Sequence, residues 1–377
     1  MDLGHITLIR TIGKQLIEQG HEVFAVIKDT LHAQMQLNDV GITWIQAPFS
    51  HSVNPCGNID NHADILSCRG YHDHLALAGL CKAWATIFRM CSPDRIICES
   101  SPTAALVARS LQIPVIAVDT GFFAPPLTDP LPSFKPLGLV SRSALRRKER
   151  SVLEIINKAQ RLNGYPALDR FNDMFNVPTL WMTWPEINHF GIHNEKFHLG
   201  PIYRGTGKGA IFEWKTKSAP HAFAYLKPGH KHSLGLLSNL LSQEIEVIAY
   251  LPGWGKSVIN QLPNRHLLTA SDMPVNFDGI MDKTDFLVSH TGLGTVHSFL
   301  LNGKPQVMLP QQMEQYLLSK SIEKTGLGCL VETGLERPPK FDLDKLLALR
   351  SNAVSFSKNQ LQSDINLKML MENLTAS

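Results

Sequence analysis

Hydrophobic positions along this chain follow two alternating rhythms. Ile6, Ile9, Ile12 and Leu16 recur at helical spacing, Gly20 marks a helix stop, and the run Val23 to Ile27 then reads as a buried strand. Pro93 introduces a second passage of the same kind: a strand at Arg95 to Cys98, a helix from Thr103 to Leu111, and a strand from Pro114 to Val118. Phe123 to Pro136 is rich in proline and predicts an irregular excursion on the surface. Leu199 to Lys217 combines glycines with charge and predicts a domain boundary. After it the pattern restarts, with a strand at Ala222 to Leu226, a helix at Ser233 to Ser242 and a strand at Glu246 to Leu251. Two more apolar runs, Phe286 to Val288 and Pro305 to Leu309, flank an apolar helix, and Phe356 to Leu374 predicts a closing helix. Strands that alternate with amphipathic helices argue for an α/β chain with parallel sheet and helical crossovers. No internal repeat is visible beyond the broad similarity of the two halves.

Composition narrows the class without naming a function. The chain has 377 residues, 44% hydrophobic and 18% charged, which suits two domains with large cores. A net charge of +3 gives no basis for a nucleic-acid partner. Cys56, Cys68, Cys81, Cys91, Cys98 and Cys329 show neither paired CxxC nor zinc spacing. Most read as buried small hydrophobes of a reduced, cytoplasmic protein. No apolar run approaches the ~18 residues that span a bilayer, and the first residues read as a helix entry rather than a signal peptide.

The stretch 286–315, FLVSHTGLGTVHSFLLNGKPQVMLPQQMEQ, carries the clearest chemistry. A strand, a glycine turn and a helix aim backbone N–H groups and the positive helix end at an anion. Gly292 and Gly294 let the backbone approach a phosphate, Thr295 suits a cap on the first turn, and His290 is placed to donate to a phosphate oxygen. Taken alone, residues 292–295 read equally as a packing turn. The whole string is more specific: H-x-G-x-G-T, then N-G-K-P, then P-x-x-x-E-Q. It resembles the donor-binding signature of family 1 glycosyltransferases, the nucleotide-sugar-dependent, UDP-glycosyltransferase-like type.

That resemblance implies a GT-B fold, two Rossmann-like domains facing a central cleft. It places an acceptor-side domain at 1–200, a donor-binding domain at 201–355, and a helix at 356–377 that packs back on the first domain. It implies that His290, Gly292, Gly294 and Thr295 hold the diphosphate and that Glu314 and Gln315 bind hydroxyls of the transferred sugar. The segment GHITLIRTIGKQLIEQGHEV resembles the entry that carries the family's catalytic His, here His5. A neutral imidazole near its working pH suits a base that takes the acceptor's proton. A carboxylate beside it fixes the tautomer and stabilises the imidazolium. Glu99, ending the strand Arg95 to Cys98, stands where the family commonly has Asp.

Four departures from the family pattern change what is expected. No strand precedes Gly4 and His5 where the family has its first, central strand, which implies a start assigned too far downstream or a truncated copy. Ser298 replaces a Glu that grips both ribose hydroxyls, which weakens a UDP donor and leaves room for a dTDP-sugar. Asp272 to Val275 lacks the base-stacking Trp, so base contacts fall to the backbone. The loop Lys227-Pro228-Gly229-His230 replaces a Gly-Ser type; Lys227 reads either as a point charge for phosphate or as a solvated surface Lys.

Asp342-Leu343-Asp344 has D-x-D spacing but follows Pro338-Pro339 and reads as a helix N-cap, so no metal is expected. The basic run Arg142 to Arg150 reads as a solvated helix face, or as a peripheral contact for anionic lipid if the acceptor is membrane-borne. His62, His72 and His74 read as surface or loop residues. The expectation is an inverting, metal-independent hexosyltransferase that moves a sugar from a UDP- or dTDP-sugar to a hydroxyl-bearing small molecule or glycolipid. The rivals are a nucleotide-sugar epimerase and a catalytically degenerate homologue that only binds nucleotide sugar.

Overall fold

Side-chain alternation along the strands explains how the chain divides its apolar residues between layers. The computed structural model describes residues 3–50, 57–135, 139–191, 198–202, 209–217, 219–331, 341–360 and 363–375. Two units divide the chain: Met1–Pro185 with Ile192–Ile202 and Asp364–Ser377, and Glu186–Gly191 with Tyr203–Ser363.

In the first unit, α1 (Leu3–Glu18) leads to β1 (Phe24–Ile27), α2 (Thr30–Leu37) and β2 (Thr43–Gln46). Then come α3 (His62–Leu66), α4 (His74–Cys91), β3 (Ile96–Cys98), α5 (Pro102–Ser110) and β4 (Val115–Asp119), followed by α6 (Arg142–Leu162) and β5 (Thr179–Trp181). All pairings are parallel. The strands nevertheless form two separate sheets, β1–β2 and β3–β4–β5, with no strand joining them among the described residues. Two core clusters back these sheets, with Val26 of β1 and Ala47 after β2 reaching the second. Ile6, Ala25, Ile27, Ala33, Leu37 and Ile42 pack α1 and α2 against β1 and its turn, whereas α4, α5 and α6 bury Leu77, Trp84, Val107, Val152 and Ile156 together.

In the second unit, β6 (His221–Tyr225), α7 (Ser233–Ser242), β7 (Glu246–Tyr250), α8 (Lys256–Asn260) and β8 (Leu268–Ser271) precede β9 (Phe286–Ser289). They are followed by α9 (Leu293–Leu301), β10 (Gln306–Met308), α10 (Met313–Lys324), β11 (Gly328–Leu330), α11 (Leu343–Ala348) and α12 (Arg350–Asn359). The last helix, α13 (Ser363–Thr375), falls almost wholly in the first unit, where the Arg95 guanidinium donates to the Leu374 carbonyl. Six parallel strands lie in the order β11-β10-β9-β6-β7-β8. On one face Ala222, Ala224, Val247, Ala249, Phe286 and Val288 meet Leu236, Leu237, Leu240 and Leu241 of α7. On the other, Phe223, Ile248 and Leu287 meet Phe299 of α9. The alanines make room for the leucine-rich helix, and burial on both faces accounts for the near-continuous apolar strands.

Several expectations need correction. The proline-rich stretch is irregular as predicted, but Ala124, Leu131 and Phe134 in it are buried, as is Phe122 just before it. The reason is His62, which is itself buried rather than a surface residue, with rings of Phe122, Phe134 and Phe175 around it and its Nε2 on the Phe122 carbonyl oxygen. Burial lowers its pKa to about 4, so the ring is neutral. The predicted closing helix is two helices, α12 and α13. Cys68 is disulfide-bonded rather than reduced, while Cys81, Cys91, Cys98 and Cys329 are free; Cys56 lies outside the described residues. So do Pro338, Pro339 and residues 203–208 of the predicted boundary. Asp342 does cap α11, accepting from the Lys345 N–H at 3.0 Å.

Candidate functional sites in the two units

The sheet order of the second unit defines a place for a ligand before any motif is considered. β6 and β9 are neighbours, yet the helix after β6 covers one face and the helix after β9 the other. Their connecting loops therefore part at the carboxyl ends of the strands, which is the switch point where open α/β sheets bind ligands.

The glycine turn sits at this point. After β9 the chain bends sharply at Thr291, whose φ of 62° is unusual for a side-chain-bearing residue. The bend is held by the Thr291 N–H on Ser289 Oγ at 3.0 Å and by the paired hydroxyls of Thr291 and Ser319 at 2.8 Å. Helix α9 then begins at Leu293 with Gly292 as its N-cap, and no side chain caps it. Thr295 is thus not the cap that the sequence suggested; it is the third residue of the helix, half-buried. Gly292 has an ordinary φ of −70°, and a Cβ built on it would meet nothing within 4 Å. The space in front of the helix's positive end is open at that glycine.

His290 underlies the turn. It is buried, its Nδ1 lies 2.7 Å from the Leu309 carbonyl oxygen, and the Lys227 N–H donates to its Nε2 at 2.9 Å. A carbonyl must receive a proton and an N–H must find a lone pair, so the ring is neutral and protonated on Nδ1. Burial lowers its pKa to about 4, in keeping with that state. Both ring nitrogens are therefore occupied: His290 ties the end of β10 to the loop after β6. Ser298 Oγ turns back to the Gly294 carbonyl at 3.0 Å. At α10, Gln315 Oε1 accepts from the N–H groups of Gln311 (2.8 Å) and Gln312 (3.3 Å), half of a capping box. Glu314 lies beside it in the first turn of that helix.

In the first unit the structure brings His5 and Glu99 together. His5 Nδ1 is 2.7 Å from Glu99 Oε1, and Ser100 Oγ donates to the same oxygen at 2.9 Å. Glu99 follows β3 and its side chain is 7% exposed; that of His5 is 31% exposed. A carboxylate can only accept from Nδ1–H, which leaves Nε2 as the basic nitrogen of the ring. Residues missed in the sequence include Thr291, Ser319 and Asp119, whose buried carboxylate folds the next loop by accepting from the Gly121 and Phe123 N–H groups. No pattern in the sequence marks a strained φ. The basic run is partly spent on internal pairing: Arg146 meets Asp129, and Lys148 meets Asp60 and Asp64. Among the described residues no three His, Cys, Asp or Glu side chains converge as a metal site, and no helix is long and apolar enough to cross a membrane.

Solved structures of glycosyltransferases share this architecture, the GT-B fold. The chain superimposes on CalG4, the calicheamicin glycosyltransferase, with a TM-score of 0.69 at 14% identity, covering 98% of this chain and 95% of that one. VinC in complex with dTDP gives 0.61 at 14% identity over 99% and 98%. SnogD from Streptomyces nogalater gives 0.60 at 17% identity over 96% and 94%. At such identities the likeness establishes the fold. In sequence, 82 residues are 29% identical to UDP-sugar-dependent glycosyltransferase 52 of Dictyostelium discoideum, which is 22% of this chain and only 4% of that protein's length. No family model matches.

Proposed function

We propose that the protein is an inverting glycosyltransferase that carries a hexose from a UDP- or dTDP-sugar to a hydroxyl group of a small molecule or lipid. The observation that carries this reading is the uncapped α9 N-terminus, open at Gly292 and set at the switch point of a six-stranded parallel sheet. Fixed N–H dipoles there favour a diphosphate, and favour it more as charge builds on the leaving group. Thr295 adds a hydroxyl in the first turn, and Glu314 with the amide of Gln315 supplies groups for sugar hydroxyls. VinC, whose structure contains dTDP, shares the fold.

In the reaction the acceptor oxygen forms its bond to the anomeric carbon as the bond from that carbon to the diphosphate oxygen breaks. The electron pair leaves with the diphosphate, and the acceptor's proton passes to His5 Nε2. Glu99, already on Nδ1, offsets the imidazolium charge. The helix end and nearby basic side chains do the work that a metal ion does elsewhere, so EDTA should leave the rate unchanged.

A screen of UDP- and dTDP-sugars against hydroxyl acceptors tests the reading, scored by nucleotide released with sugar-acceptor product. His5→Ala should lower kcat by about 10²–10⁴-fold while nucleotide binding persists. A binding-only homologue is the second reading, favoured by the divided sheet beneath His5; nucleotide binding with no turnover for any acceptor would select it.

A further inference from the structure

The basic run at the start of α6 has no part in sugar transfer as described above. This helix buries Leu145, Val152, Ile156 and Ala159 against the first unit. Arg142, Arg146, Arg147 and Arg150 are exposed, and the first turn holds no acid. Cations placed there meet the positive end of the helix dipole, where Asp or Glu would be favoured. Arg142 and Arg146 turn to the preceding loop: the first donates to the Asp129 carbonyl oxygen at 2.7 Å, the second pairs with the Asp129 carboxylate at 3.2 Å. Arg147 and Arg150 form no hydrogen bond or ion pair with the described residues.

Two large apolar side chains flank these arginines. Leu127, two residues before Asp129, is 48% exposed, and Leu139, three residues before Arg142, is 71% exposed. The loop that carries Leu127 is held in place, because Asn172 Nδ2 donates to the carbonyl oxygens of Leu127 and Thr128 at 3.3 and 3.2 Å. Burial would be the ordinary fate of such a leucine.

We propose that Leu127, Leu139 and the start of α6 form a docking surface for an anionic lipid bilayer, with Arg147 and Arg150 on headgroup phosphates and the two leucines entering the acyl boundary. Charge complementarity selects this partner: guanidinium groups match phosphate, and the only acid in the patch, Asp129, is already paired. Two leucines offer far less apolar area than a stable protein interface needs. Together with several arginines they suit reversible attachment to a membrane surface. The chain as a whole has a net charge of only +3, so the attraction comes from where the arginines stand. This goes beyond the transfer reading and does not depend on it.

Flotation of the full chain with vesicles tests the proposal, using phosphatidylcholine alone and phosphatidylcholine mixed with phosphatidylglycerol. Wild type is expected on the anionic vesicles and not on the neutral ones, with binding weakened at high salt. Reversing two charges, Arg147→Glu with Arg150→Glu, should lower the partition coefficient at least about tenfold. Lys158→Glu with Arg161→Glu makes the same change of charge at exposed positions about 12 to 21 Å further along the helix, and most of the binding should survive it. Leu139→Ser should weaken binding several-fold at constant charge. All of these positions are exposed, and an unchanged Tm shows that each variant folds. Absence of wild type from the anionic vesicles, or equal losses in the two charge-reversed pairs, would overturn the docking surface. Titration of UDP without vesicles reads the donor site separately, so either reading can fail while the other stands.

Discussion

A glycine whose backbone angle needs no glycine points to what stands in front of it. Gly292 has an ordinary φ and open space where a side chain would be. Gly292→Ser supplies a good N-cap for α9, so stability should hold or rise by a few tenths of a kcal/mol. The new hydroxyl would occupy the phosphate's place, and UDP affinity should fall at least about tenfold by calorimetry. His62 offers a different test. Its pKa is about 4 in the fold against 6.5 in a solvated chain. Between those values the unfolded chain binds the proton and the folded one does not. Stability contributed by the neutral ring is thus full above about pH 6.5 and is lost as pH falls toward 4, by about 3 kcal/mol. A plot of Tm against pH should show this loss, and His62→Phe should remove much of its slope. Nothing in the pattern around His62 marks that burial, because Phe122, Phe134 and Phe175, far from it in the chain, create it.

At the scale of elements, periodicity located most of what the structure contains. The strands predicted at 222–226, 246–251 and 286–288 correspond to β6, β7 and β9, since residues buried on both faces leave an unbroken apolar run. Helix ends were less legible. Thr295 has a capping side chain but sits inside α9, and Gln315 spends its oxygen on the start of α10. Caps depend on where the preceding loop delivers the chain, and residue type alone does not fix that. Gln315→Ala should therefore cost about 1 kcal/mol through the capping box. Gln315→Glu keeps the acceptor and should restore stability, so any loss of sugar transfer that persists in it reports on the missing amide. In the sheet itself, Leu287→Ala should destabilise the second unit by about 2–5 kcal/mol, with Phe223, Ile248 and Phe299 as its neighbours.

Across the whole molecule, parallel α/β architecture and the pairing of His5 with Glu99 were readable from motifs, while the division of the first unit's sheet shows only in three dimensions. Helix α1, which carries His5, packs in a small core with β1 and α2, and only Val26 and Ala47 carry the β1–β2 piece onto the larger core that α4, α5 and α6 share. No ladder of hydrogen bonds ties β1–β2 to β3–β4–β5 among the described residues. Pieces joined this way open separately and at lower free energy than a continuous sheet. Amides of β1 and β2 should exchange with deuterium sooner than those of β6, β7 and β9. In a denaturant series, sugar transfer should then disappear at concentrations where UDP is still held. The chain would shed its chemistry before its cargo, becoming a carrier of activated sugar that has lost the means to spend it.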